Sequence, residues 1–153
     1  MCGVVGIIGK REASSLVIEG LKKLEYRGYD SAGIASFNQD SIQVVKSEGK
    51  LINLINKVND LKKERLYCDT SIALGHTRWA THGGVTEDNA HPHVSNNQIA
   101  VVHNGIIENH ESQCSRLKKL GYKFDSETDT EVIAHLIHYY YQSKKNLLKA
   151  TQL

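Results

Sequence analysis

The chain has almost no proline: one residue in 153, Pro92, and no internal repeat, low-complexity run or linker. That scarcity excludes a string of spaced modules and leaves a single domain by length. No stretch approaches the ~18 consecutive apolar residues of a membrane span. Charge of one sign is missing too. The formal net charge is +2, too small to argue for nucleic acid or a membrane surface as a partner. Basic doublets at Lys22-Lys23, Lys62-Lys63, Lys118-Lys119 and Lys144-Lys145 stand among apolar residues and read as solvated helix faces. Three cysteines, Cys2, Cys68 and Cys114, form no close pair, which excludes a disulfide framework and suits a reducing compartment. The amino terminus lacks the basic region and cleavage site of a signal segment. The expected location is the cytoplasm.

What is present is the composition of a soluble globular protein, 40% hydrophobic and 24% charged. A compact chain of this length buries about 70% of its unfolded surface. Residues 2–9 read as a strand, and Leu16, Val17, Leu21 and Leu24 mark a helix over 12–26 that Gly28 closes. Short strands follow at 32–37 and 42–46 around Asn38-Gln39-Asp40, then a helix carrying Leu51, Leu54, Ile55, Val58 and Leu61. A buried strand over 71–75 leads into the polar run His76-Thr77-Arg78-Trp79-Ala80-Thr81-His82. The irregular stretch 83–97 is long enough to carry function. A strand at 98–103 and helices over 109–120, 128–141 and from 144 complete the chain, with Thr128 and Glu131 at capping-box spacing. Adjacent strands joined by a short turn favour α+β layers over a doubly wound sheet.

Cys2 is the residue with the most chemistry to offer. Enzymes that remove Met1 accept small second residues, so the mature chain is expected to begin with cysteine. Thiol and free α-amine then share one residue. α-Amino groups titrate near about 7.7–8.0 and can accept a proton at neutral pH, whereas a cysteine thiol, near about 8.5, needs such a neighbour to become a nucleophile. Its apolar context, Gly3-Val4-Val5-Gly6-Ile7-Ile8, equally suits a plain buried strand residue.

His103-Asn104-Gly105 lies between apolar runs, where Asn-Gly most often makes a tight hairpin turn. The alternative is an oxyanion hole built from the Asn104 amide and the Gly105 N–H. Arg78, at a strand end, can be a surface cation or a two-pronged clamp for a carboxylate. Asp129 suits the first turn of a helix and could also face an ammonium. Arg27 and Gly28 read as a helix C-terminus. Together these groups would suit a small zwitterion whose far end reaches Cys2. Eight histidines raise metal binding as a rival. His91-Pro92-His93 has no cysteine pair beside it, and Glu131, His135 and His138 on one helix form a pattern common by chance. No metal and no cofactor are expected.

The ordered set Cys2-Gly3-Val4-Val5-Gly6, Tyr26-Arg27-Gly28-Tyr29-Asp30-Ser31-Ala32-Gly33, His76 to Gly83, His91-Pro92-His93, Val102 to Asn109 and Ser126 to Glu131 is a familiar one. It resembles the glutaminase domain of glutamine–fructose-6-phosphate aminotransferases, class II glutamine amidotransferases of the N-terminal-nucleophile hydrolase fold. The resemblance implies a truncated αββα sandwich, a partial glutaminase domain over 2–153, with the sugar isomerase domain absent and an apolar sheet face left open. It implies that Cys2 attacks the side-chain amide of glutamine, its α-amine acting as base through a water. Asn104 and Gly105 would hold the oxyanion. Arg78 would bind the glutamine carboxylate and Asp129 its ammonium, with Trp79, Thr81 and His82 lining or closing the pocket and Arg27 and Gly28 positioning the amino terminus. In the full-length enzyme the ammonia would convert fructose 6-phosphate to glucosamine 6-phosphate, within a homo-oligomer. Val85 stands where many family members carry proline, in the loop over glutamine. The second reading is a non-catalytic remnant that binds glutamine or a partner subunit.

Overall fold

The structure, a computed structural model, describes residues 2–9, 12–38, 41–68, 70–80 and 83–152. Four strands form the main sheet in the order β1-β4-β2-β3, all antiparallel: β1 Gly3–Ile8, β2 Ser31–Asn38, β3 Ser41–Glu48 and β4 Ile72–Arg78. Helices α1 (Ala13–Lys22) and α2 (Leu51–Lys63) cover one face. The spacing that marks these helices also aims Val17, Leu21, Leu51, Leu54 and Val58 into one core with Ala32, Ile34, Val45 and Ala73 of the sheet. That core face is every second strand residue, as the pleat demands.

A second, two-stranded antiparallel sheet, β5 (His93–Ser95) with β6 (Ile99–Val101), lies behind the opposite face. Beyond it come α4 (Thr130–Lys144), packed on β5 and β6, and then α3 (His110–Lys119) and α5 (Leu147–Thr151) against α4. The layer order is helix, sheet, sheet, helix, so the α+β expectation holds. The two sheets meet where Asn97 Oδ1 accepts the Ile42 N–H at 3.0 Å and where the rings of His76 and His91 stack at 4.3 Å.

Three expectations are corrected. The strand read over 71–75 runs on through Arg78, because β4 is flanked by β1 and β2 and its polar residues find partners there and across the layers. Asn104-Gly105 is not a hairpin turn, since β6 ends at Val101 and no strand follows over 102–109. The capping box at Thr128 is absent. Instead Thr128 Oγ1 bonds His93 Nε2 at 2.8 Å, and Glu131 accepts the N–H groups of Asp125 and Ser126. The turn residues 39 and 40 lie outside the described residues.

On the face away from α1 and α2, the far end of the sheet is open. Ile8 pairs with Ile72 and Phe37 with Ile42, and Ile8, Ile72, Phe37 and Val44 are all exposed. The near end is closed by the chain around His91, and Gly33 is what allows the approach. A Cβ on Gly33 would stand 2.1 Å from the carbonyl oxygen of His91, a backbone atom that cannot swing aside. Overpacking of this kind costs about 1–3 kcal/mol and more where backbone must move. Gly33→Ala is therefore expected to lower the urea midpoint by at least that equivalent; an unchanged midpoint would contradict the contact between the layers.

Candidate active site

The pairing of β1 with β4 sets the site. Gly3 lies opposite Thr77, and Thr77 Oγ1 accepts the buried Gly3 N–H at 3.0 Å. Cys2, one residue earlier, is thereby held beside the end of β4. Its Sγ lies 3.2 Å from the Trp79 N, which donates to it. From the other side, Asn104 Nδ2 donates to the Cys2 carbonyl oxygen at 3.2 Å, across 102 residues of sequence. The Asn104 Oδ1 accepts from His76 Nε2 at 2.6 Å.

These groups border a cavity of about 350 Å³. Of the residues singled out in the sequence, Cys2, Arg27, Arg78, Trp79, Asn104 and Gly105 line it, and so does Asp129. Gly28 does not, but its φ of 73° lets the chain turn after the 3-10 turn Glu25–Arg27, and a Cβ there would meet the Trp79 ring at 3.0 Å. Thr81 and His82 lie outside the described residues.

Arg78 is buried, and its guanidinium donates to the Gly84 carbonyl at 3.1 Å, which ties the last residue of β4 to the loop above the cavity. Glu127 and Asn89 hold the same loop: Glu127 Oε2 accepts the Gly84 N–H and the Asn89 amide, and Asn89 donates to the Gly84 carbonyl. Asp129, only 5% exposed, stands at the start of α4 and accepts the Ile107 N–H at 2.6 Å. A cation and an anion thus face one cavity beside a thiol and an amide donor. That set can bind a zwitterion and stabilise charge on a carbonyl oxygen.

Sequence reasoning missed the histidine wall. His76, His91 and His103 also line the cavity, and His93 stands edge-on to His91 at 4.7 Å. Lone histidines in separate segments carry no periodic signal, so only the tertiary fold gathers them. Burial holds His76 down at about 4 against an ordinary 6.5, outweighing the bond to Asn104, and the Arg78 charge pushes the same way. Burial likewise lowers His93 to about 3, with Lys46 adding to it, and drives His91 far below its ordinary value. All three are neutral at physiological pH. Burial alone would raise the Glu131 carboxyl, but the His135 ring 3.5 Å away and the bonds from Ser126 and the Asp125 N–H hold it at about 2.

Compared with solved structures, the chain is 29% identical to the glutamine phosphoribosylpyrophosphate amidotransferase from B. subtilis complexed with ADP and GMP, with a TM-score of 0.77, covering 99% of this chain and 32% of that one. A structure described as the allosteric regulatory enzyme of purine biosynthesis matches at 29% identity and a TM-score of 0.79, with the same coverage. The fold is that of the N-terminal-nucleophile hydrolases. A family model for the glutamine amidotransferase domain matches residues 47–149, and the chain belongs to that family. It is 54% identical over 153 residues to the glutamine–fructose-6-phosphate aminotransferase (isomerizing) of Legionella pneumophila (strain Paris), covering 99% of this chain and 24% of the relative. The aminotransferase of the same name from Clostridium acetobutylicum is 55% identical over 151 residues, covering 98% of this chain and 24% of the relative. The resemblance read from the motifs is borne out, and the chain spans about a quarter of these relatives' length. Among the described residues, no helix is long and apolar enough to cross a membrane.

The neutral histidines give stability a pH dependence with a definite sign. The unfolded chain takes up protons on His76, His91 and His93 below about 6.5, and the folded chain does not. Stability is therefore full above that value and falls as pH drops toward 4, by up to about 1.4 kcal/mol per pH unit for each histidine. Glu131 adds a loss in the same direction, in the lower window from about 4.5 down to about 2. The urea midpoint is expected to be clearly lower at pH 5 than at pH 7.5; equal midpoints would contradict buried, neutral His76, His91 and His93.

Proposed function

We propose that this chain is a glutamine-hydrolysing domain in which Cys2, freed at its α-amine by removal of Met1, is the nucleophile. The observation that carries the reading is the convergence on one cavity of the Cys2 thiol, the Asn104 amide, the Arg78 cation and the Asp129 anion. Glutamine is a zwitterion with an amide at its far end. Arg78 takes its carboxylate and Asp129 its ammonium, which turns the amide carbon toward Sγ. The Cys2 α-amine accepts the thiol proton through a water, and sulfur bonds to the amide carbon.

Negative charge then gathers on the former carbonyl oxygen, where the second N–H of Asn104 and the N–H of Gly105 hold it. The carbon–nitrogen bond breaks, and ammonia leaves carrying the proton. Water hydrolyses the γ-glutamyl thioester, restoring the thiol and releasing glutamate. No metal or cofactor takes part. Trp79 shields the mouth of the cavity, and Arg27 and Gly28 position the terminus. By analogy with the aminotransferases it resembles, the ammonia goes to fructose 6-phosphate in a longer, homo-oligomeric cytoplasmic protein, yielding glucosamine 6-phosphate.

Glutamate release tests the assignment. Cys2→Ala should abolish it. Arg78→Lys and Asp129→Asn should each raise KM for glutamine about 10- to 100-fold, as expected for losing a charged hydrogen bond worth about 1.5–3 kcal/mol. Release by Cys2→Ala at the parent rate, or an unchanged KM in both other variants, would overturn the reading.

A further inference from the structure

We propose that His76 is a positioning residue for Asn104: its Nε2–H grips the amide oxygen and so turns the amide nitrogen toward Cys2 and the cavity. The inference rests on the reading of Asn104 as an oxyanion donor and deepens it. The reasoning begins with the Cys2 carbonyl oxygen, which can only accept. The end of the Asn104 amide that faces it, 3.2 Å away, must therefore be the NH2. That leaves the oxygen facing His76 Nε2 at 2.6 Å, and an amide oxygen can only accept, so Nε2 must carry the proton.

The ring is equipped to hold that state. His76 lies in the central strand β4 with no exposed surface, and the His91 ring stacks on it at 4.3 Å and 22° between planes. Its Nδ1 is buried with no hydrogen-bond partner among the described residues. One proton on Nε2 and none on Nδ1 therefore describes the ring. Asn104, by contrast, is exposed and lies in a segment without regular structure. Without the Nε2–H, a half-turn of its amide would bring oxygen toward the Cys2 carbonyl and toward the place where negative charge gathers.

Two measurements test this. Long-range 15N correlation at pH 7 should show His76 protonated on Nε2; a ring bare on Nε2, with its proton on Nδ1, would overturn the proposal without any need for turnover. In glutamate release, His76→Leu should lower kcat about 10- to 100-fold with KM within about threefold, less than the ~100- to 1000-fold for losing an oxyanion donor outright, because the amide remains. His76→Gln, which keeps an N–H near the Nε2 position, should recover kcat to within about threefold of the parent. In an Asn104→Ala background His76→Leu should cost nothing more, since a residue acting only through Asn104 has nothing left to position. Additive losses would show a packing role and overturn the proposal. If Asn104→Ala alone leaves kcat unchanged, the oxyanion reading fails instead, and the 15N result still decides whether His76 orients the amide. Should His76→Leu fail to fold, the glutamine variant and the 15N measurement carry the decision: a His76→Gln loss as large as that of Asn104→Ala would count against the proposal.

Discussion

The antiparallel pairing of β1 with β4 is the constraint on which everything else depends. It is a short ladder, six residues on each strand, with Gly3 opposite Thr77. A slip of one residue would turn Val5 and Ile7 away from α1 and Val4 into the core, so the register is specified by burial. The Thr77 hydroxyl adds a buried side-chain bond to the same backbone. The chain's second residue is a terminus that would ordinarily fray. Here it is held within hydrogen-bond reach of Trp79, one residue past Arg78.

Around that ladder the chain assembles a site from segments far apart in sequence. The cation comes from the end of a central strand, the anion from the start of a helix, and the amide donor from an irregular loop. Each is fixed by a bond to another segment: Arg78 to Gly84, Asp129 to Ile107, Asn104 to His76. The cavity wall includes the buried, neutral imidazoles of His76 and His91, which add no charge to compete with Arg78 and Asp129. A low-polarity wall of this sort strengthens the interactions of the charges that remain.

Much of this was legible in the residues. Helical spacing of Val17, Leu21, Leu54 and Val58 foretold α1 and α2, because burial on one face writes periodicity into a sequence, and the polar turn signal Asn38-Gln39-Asp40 between short apolar runs foretold β2 and β3. The chemistry-bearing residues were legible only as an ordered set; singly, Asn104-Gly105 looked like a hairpin and Thr128 with Glu131 like a helix cap. Both local readings failed for one reason. Long-range partners outcompeted the local ones: Asn104 bonds Cys2 and His76, and Thr128 bonds His93. The histidines stood out singly, but their gathering into one wall was not legible, since His76, His91 and His103 come together only when the two sheets pack. On the sheet face away from α1 and α2, Ile8, Ile72, Phe37 and Val44 are exposed.

The most direct test is intact-mass analysis after treatment with an electrophilic glutamine mimic. A single adduct on Cys2 of a chain that has lost Met1, suppressed by excess glutamine, is the result expected. A folded protein that keeps its methionine, or that takes no adduct at Cys2, would contradict a terminal thiol facing a glutamine site.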